Sequence, residues 1–184
     1  PLGHLPVTVP GTVDGWFELH NRYGKLEMSQ VLAPAIRYAR EGFPISPVIG
    51  FYFERAQRSF ESRLDQINEF ENARATYFSP EAPKVGDVFK NDDLGKTLAI
   101  LAKGGRDAFY KGKIAKTIDR YMRRIGGDLT YSDLATHTCE WVDPVCVDYR
   151  EVQLCELPPN GQGFAALQMV SILKNANLAQ WKRD

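Results

Sequence analysis

Over residues 12–135 apolar positions recur three or four apart, and over about 145–157 they alternate, so the chain reads as helices followed by a short β segment. Ahead of both, Val7, Thr8 and Val9 suit a short strand in a Pro-rich opening. Gly11 and Thr12 launch the first predicted helix, with Thr12 as N-cap, Trp16, Leu19 and Tyr23 on one face, and Gly24 as the closing residue. A second predicted helix runs from Met28 to Glu41 with Val31, Leu32, Ala35, Ile36 and Ala39 as its stripe. Pro34 inside it is expected to kink it or to mark the first turn of a new helix. Ser46 and Pro47 form an N-cap and N1 pair for a helix to about Leu64. Its Phe51, Phe53 and Phe60, with Tyr52 beside them, read as core. Residues 65–75 are polar and fit another short helix at most.

Tyr77 to Asp92 reads as a connection with turns at Ser79-Pro80 and Val85-Gly86-Asp87. A helix from Asp93 to Lys103 stops at Gly104-Gly105, and Arg106 to Lys111 is a brief turn. From Gly112 to Ile125 the pattern is amphipathic: Ile114, Ile118, Tyr121 and Ile125 align, with Lys and Arg opposite, and Gly126-Gly127 ends it. Thr130 and Asp133 have capping-box spacing. Val145, Val147 and Tyr149 alternate with Cys146 and Asp148, and Val152 to Leu157 continues beyond the corner Arg150-Glu151, as two strands would. Pro158-Pro159-Asn160-Gly161-Gln162 then leads into a strongly apolar helix from Gly163 to about Asn175. The fold class is therefore α+β: mostly helical over 12–135, strands about 145–157, a helix about 163–175.

Composition narrows the function. A length of 184 residues with 43% apolar content suits one packed domain. Lys+Arg and Asp+Glu are 23 each, and the densest basic group, Arg120, Arg123 and Arg124, reads as the wet face of a helix, so nucleic-acid binding is not expected. No stretch approaches the roughly 20 apolar residues of a membrane span, and there is no signal peptide. The opening Pro1-Leu2-Gly3 has no methionine and looks cut from something longer. Cys146 and Cys155 fall on neighbouring predicted strands, which leaves a bridge open, but with Cys139 the count is an odd three, which favours buried free thiols.

No constellation of catalytic type assembles from the residues alone. There is no G-x-S-x-G elbow, and Gly161-Gln162-Gly163 lacks the later glycine of a dinucleotide fingerprint. His4, His20 and His137 share no metal spacing and read as surface or satisfied core residues. Thr136-His137-Thr138-Cys139 groups two hydroxyls, an imidazole and a thiol. Neighbours in sequence rarely converge on one atom, and the stretch reads as a loop between a short helix and a strand. Asp92-Asp93 suit a helix N-terminus, and Glu69 and Glu71 a solvated face. No catalytic, substrate-binding, cofactor-binding or metal residue is assigned, and no cofactor is expected.

The order of short blocks carries more. Val9-Pro10-Gly11-Thr12-Val13-Asp14-Gly15-Trp16, Tyr23-Gly24-Lys25-Leu26, Leu32-Ala33-Pro34-Ala35-Ile36 and Ala39-Arg40-Glu41-Gly42-Phe43-Pro44-Ile45-Ser46 come first. Leu98 to Tyr110 with Gly112, Gly126-Gly127-Asp128-Leu129-Thr130 with Asp133-Leu134, Tyr149-Arg150 and Pro158-Pro159 follow. In order and spacing this series resembles the γ-glutamyltranspeptidase family, N-terminal nucleophile hydrolases with an αββα sandwich. The loop Pro158-Pro159-Asn160-Gly161-Gln162-Gly163 is similar to a γ-glutamyltranspeptidase-like branch; the typical enzymes carry serines there. The resemblance implies a precursor that cuts itself into a large and a small subunit. The small subunit's new N-terminal threonine then attacks a γ-glutamyl amide such as glutathione, its own α-amine serving as base. The blocks belong to the middle of the large subunit. By resemblance the threonine lies downstream and an arginine for the substrate carboxylate upstream, so no catalytic residue is carried over and the segment alone is expected to be inactive. Its partner is the small catalytic subunit of the same precursor. Relatives are often exported, which leaves a periplasmic or extracellular place open, but the stretch carries no address and its compartment is not assigned. An acylase acting on another amide and a non-catalytic helical binding module are the alternatives. Cut from its partner strands, the segment is expected to self-associate through Val145 to Leu157 or the helix after Gly163.

Overall fold

A computed structural model describes residues 3–67 and 69–180; Pro1 and Leu2 of the opening, and Asn68 in the ambiguous polar stretch, lie outside the described residues. The chain is α+β and mostly helical, and it divides into two compact units, Pro1–Cys139 and Glu140–Asp184.

The first unit begins without a strand: Val7 to Val9 is irregular. Helix α1 (Thr12–Tyr23) follows, capped by the Gly11 backbone rather than by the Thr12 hydroxyl. It buries Val13, Asp14 and Phe17, not the Trp16–Leu19–Tyr23 face, of which Leu19 is 54% exposed. The reason is that α1 is apolar on two faces, and periodicity alone does not say which one meets the core. Helix α2 (Met28–Glu41) has the predicted bounds and runs through Pro34 as one helix, turning Leu32 and Ala39 inward. Strand β1 (Phe43–Pro44) comes next, and Ser46 caps α3 (Pro47–Glu61), its Oγ accepting from the Ile49 N–H at 3.4 Å. A 3-10 turn (Leu64–Gln66), α4 (Glu71–Tyr77) and β2 (Val88–Phe89) lead on; β2 pairs antiparallel with β1, a two-residue ladder too short to register as alternation.

The aromatic stripe of α3 divides. Phe53 and Phe60 enter a cluster with Phe70, Tyr77, Phe78 and Phe89, in which the Phe53 and Phe89 rings lie 5.3 Å apart. Phe51 and Tyr52 stay exposed, because consecutive residues on a helix cannot all face one partner.

Helix α5 (Asp92–Tyr110) is the centre of the unit, in contact with α1, α2, α6 (Lys113–Ile125) and α7 (Tyr131–Thr136). The predicted stop at Gly104-Gly105 is a break at Gly105 (φ 69°, ψ −166°), a conformation open to glycine. The predicted turn beyond it is helical instead, which brings Arg106 and Tyr110 onto a second helical piece. The core includes Leu98, Leu101, Tyr110, Ala115, Met122 and Leu134. On α6 the deepest residues are Ala115 and Met122, with Ile114, Ile118, Tyr121 and Ile125 flanking them. The capping box at Thr130 and Asp133 is present. Glu69 is not on a solvated face: it accepts from Arg124 at 2.9 Å, an ion pair between segments 55 residues apart.

The second unit is a hairpin and a helix. Strands β3 (Val145–Tyr149) and β4 (Val152–Glu156) pair antiparallel around the corner at Arg150, where φ is 53°. Helix α8 (Gly163–Leu173) packs on both strands through Leu167. The register sets Cys146 directly opposite Cys155, and the two form a disulfide with Cα atoms 4.1 Å apart. The expectation of free thiols there is therefore corrected. Counting cysteines misled, because the pairing is decided by cross-strand register, and Cys139 is the odd one left free.

Candidate functional site

The polar centre of the first unit forms where three segments meet: the first turn of α1, the second piece of α5, and the chain leaving α7. Asp14 sits beside the apolar Val13 and Phe17 and is 1% exposed. Ionised at that depth, it needs partners on both oxygens. Oδ1 accepts from Arg106 Nε, and Oδ2 accepts from the Cys139 backbone N–H at 2.6 Å. The Asp14 backbone N–H donates to Tyr110 Oη at 3.0 Å, and that hydroxyl donates to the Pro10 carbonyl at 2.7 Å. Arg106 also donates to the His137 carbonyl, and its guanidinium lies 4.7 Å from the centre of the Tyr110 ring. The His137 imidazole stacks on the other member of that contact, with ring centres 5.2 Å apart.

Thr136-His137-Thr138-Cys139 thus behaves differently from its sequence reading. Beyond α7 the backbone is extended at His137 (φ −60°, ψ 136°), so alternate residues share a side. His137 Nε2 and Cys139 Sγ come within 3.9 Å, and Nε2 lies 3.6 Å from Asp14 Oδ2. Successive residues of an extended segment point apart, whereas every second one can converge. Thr136 takes no part; its hydroxyl donates to the Ser132 carbonyl at 2.8 Å.

Electrostatics fix the protonation of the group. Burial opposes ionisation of Asp14, but the Arg106 and Cys139 N–H hydrogen bonds outweigh it and hold the carboxyl below its ordinary range. Burial pushes the Cys139 thiol up, and the Asp14 carboxylate adds to the shift. Burial also raises the Tyr110 phenol. The thiol is therefore protonated and poorly nucleophilic. A catalytic triad is excluded by geometry as well. In a triad the acid holds the ring nitrogen remote from the nucleophile, whereas here Asp14 and Cys139 both face Nε2. What the arrangement offers is cross-linking of the three segments and a donor set, Asp14, His137 and Cys139, able to hold a cation.

Of the other residues weighed from sequence, His20 Nε2 lies 2.7 Å from the Leu26 carbonyl, and Asp92 and Asp93 occupy the first turn of α5. No sequence reasoning gave Asp14, Arg106 or Tyr110 a role. The available signal was their place inside two of the quoted blocks, around Gly11 and around Asp107.

Comparison with known proteins places the chain in a family. The family model for gamma-glutamyltranspeptidase matches residues 1–184. The chain is 34% identical over 174 residues to the glutathione hydrolase-like YwrD proenzyme of Bacillus subtilis (strain 168), covering 95% of this chain and 32% of that protein. With the glutathione hydrolase proenzyme of Pseudomonas aeruginosa it shares 36% identity over 177 residues, 95% of this chain and 30% of the relative. Among solved structures, cephalosporin acylase from Bacillus halodurans superposes with a TM-score of 0.86 at 39% identity, over 96% of this chain and 33% of that one. The chain belongs to the γ-glutamyltranspeptidase family, whose members include glutathione hydrolases and acylases. It spans about a third of the length of these relatives.

Proposed function

We propose that this chain is a middle segment of the large subunit of a γ-glutamyltranspeptidase-like amidohydrolase. The observation that carries the reading is the family match along all 184 residues, set against coverage of only 32% and 30% of two proenzymes. In this reading the complete protein is an αββα sandwich that cuts itself in two. A threonine outside these residues, freed as an N-terminus, attacks the γ-glutamyl amide of glutathione or a related substrate. The chain's own chemistry agrees. Thr136, which with His137 has the threonine–histidine order of such a start, has its nitrogen in a peptide bond and its hydroxyl on the Ser132 carbonyl. The segment's role is then to scaffold, and its partner is the small subunit of the same precursor.

The second unit supports that role. Among the described residues β3 and β4 pair only with each other, so each leaves an edge. Val152 is 65% exposed and Ile172 71%, and Val145, Val147, Phe164 and Leu167 line an open apolar groove of about 610 Å³. Such surface is covered by the remaining polypeptide, or by a second copy when the segment stands alone.

The likeness to a cephalosporin acylase favours a second reading within the family, cleavage of a different amide such as a glutaryl-β-lactam. A helical binding module without enzymatic ancestry does not fit a member of this family. The test offers a γ-glutamyl anilide and a glutaryl-β-lactam to the full-length polypeptide, with the 184-residue segment alongside. Self-cleavage and γ-glutamyl turnover in the former, with neither in the latter, is the expected result. Preference for the glutaryl amide selects the acylase reading, and turnover by the segment alone overturns both.

A further inference from the structure

We propose that Asp14, His137 and Cys139 bind a soft divalent cation of the zinc type, which clips the first turn of α1 to the segment after α7. One ligand atom from each residue lies within 4.8 Å of the other two. Nε2 of His137 is 3.6 Å from Asp14 Oδ2 and 3.9 Å from Cys139 Sγ. Tetrahedral zinc with bonds of about 2.0–2.3 Å sets its ligand atoms about 3.3–3.8 Å apart. Closure on the ion thus asks for shifts of a few tenths of an ångström at His137, and for Cys139 Sγ and Asp14 Oδ2, which lie within 4.8 Å of each other, to draw together by up to about one ångström. Carboxylate, imidazole and thiolate together form a donor set that suits zinc and disfavours calcium or magnesium.

The surroundings hold the ligands in place. Arg106 takes Oδ1 of Asp14 and so leaves Oδ2 turned toward His137 and Cys139. It also grips the His137 carbonyl, and Tyr110 stacks on the imidazole. Such supporting contacts orient metal ligands and raise affinity. Gly11 leaves room, since a Cβ there would stand 3.3 Å from His137 Nε2. The ion displaces the Cys139 thiol proton: the S–H bond breaks, the S–metal bond forms, and one proton leaves to solvent. Because Asp14 is already offset by Arg106, the thiolate cancels one of the ion's two charges and the loaded site carries one net positive charge. The ion's own charge overcomes the upward shift of the thiol. Three protein ligands leave a fourth position for water.

The test uses the longest natural polypeptide carrying this chain, stripped by chelator with the Cys146–Cys155 disulfide intact. Co2+ alone is titrated as a spectroscopic probe, and Zn2+ alone competes. One Co2+ per chain, an intense sulfur-to-cobalt absorption in the near ultraviolet, release of one proton and displacement by Zn2+ are expected. Cys139→Ser should abolish the sulfur band, and His137→Gln should keep it, shifted, with affinity lower by about tenfold or more. The pair Cys146→Ser with Cys155→Ser should leave the band intact. Circular dichroism of the stripped variants checks folding, and should Cys139→Ser not fold, His137→Gln decides. Absence of the band from the wild type, or its persistence unchanged in Cys139→Ser or His137→Gln, overturns the site.

Discussion

Around Leu101 the interior of the first unit is hydrocarbon: Leu98, Leu101, Ala115, Met122 and Leu134 pack with almost no exposure. Around Asp14, at the other end of α5, it is polar. A carboxylate, a guanidinium, a phenol and four backbone groups satisfy one another, and no described buried side-chain nitrogen or oxygen lacks a partner. The two regions do different work. Apolar residues of similar volume substitute for one another at modest cost, so the first supplies bulk stabilisation with little demand on identity. In the second, each group answers a particular donor or acceptor, and removing one strands the rest. The polar centre sets where the N-terminal segment and the chain after α7 attach to α5, which burial of hydrocarbon specifies only loosely.

Single truncations sharpen the contrast. Asp14→Ala leaves Arg106 with only the exposed Asp107 as counter-ion, at 3.2 Å, and the Cys139 N–H without an acceptor, and should cost about 3–5 kcal/mol, read from denaturant midpoints. Leu101→Ala removes packed hydrocarbon and should cost about 2–5 kcal/mol. The magnitudes overlap, but the rescues differ. Adding Arg106→Met to Asp14→Ala removes the stranded charge and should recover much of the loss, whereas no polar substitution rescues Leu101→Ala. A double variant no more stable than Asp14→Ala would show that the ion pair is not the organising contact.

Acid should act on one region and not the other. The folded pKa of Asp14 is lowered, so in the interval between it and the unfolded value of about 3.9 the unfolded chain binds the extra proton, and stability rises with pH. The Asp14 contribution is present in full above that interval and is lost as pH falls through the folded pKa. Asp14→Asn should therefore be less stable than wild type at neutral pH, and the gap should narrow in acid. Leu101→Ala should keep a gap independent of pH. A gap for Asp14→Asn that does not change with pH would remove the carboxylate from the account.

Most of the hydrocarbon half was legible in the sequence and most of the polar half was not. Helix α2, the Ser46–Pro47 start, the Thr130–Asp133 cap and the hairpin follow from local rules: periodicity, capping geometry and alternation. The Asp14–Arg106 pair spans 92 residues and obeys no local rule, so an aspartate near a helix start looks like any other favourable N-terminal acid. The same limit explains Cys146 and Cys155, whose pairing depends on register rather than on number. His137 and Cys139 lie two apart in an extended segment, where the alternation that marks the strands also puts both on one side.

Helix α1 carries the comparison down to its smallest effect. Phe17 faces inward at 9% exposure, while Leu19, two residues on, is 54% exposed with Trp16 and Tyr23 on the same side. In the 184-residue chain Leu19→Ser should change stability by less than about 0.5 kcal/mol, because it exchanges one solvated side chain for another. In the longer polypeptide proposed above the stripe is a candidate for burial, since two apolar faces on one helix suit a position between layers. There the same substitution should cost about 1–3 kcal/mol, the scale for burying one leucine. Measured side by side, a cost confined to the longer chain shows that the outer face of α1 is an interior surface of the complete protein. Equal, negligible costs in both leave Trp16, Leu19 and Tyr23 in water and restrict the core of this region to the Asp14 side.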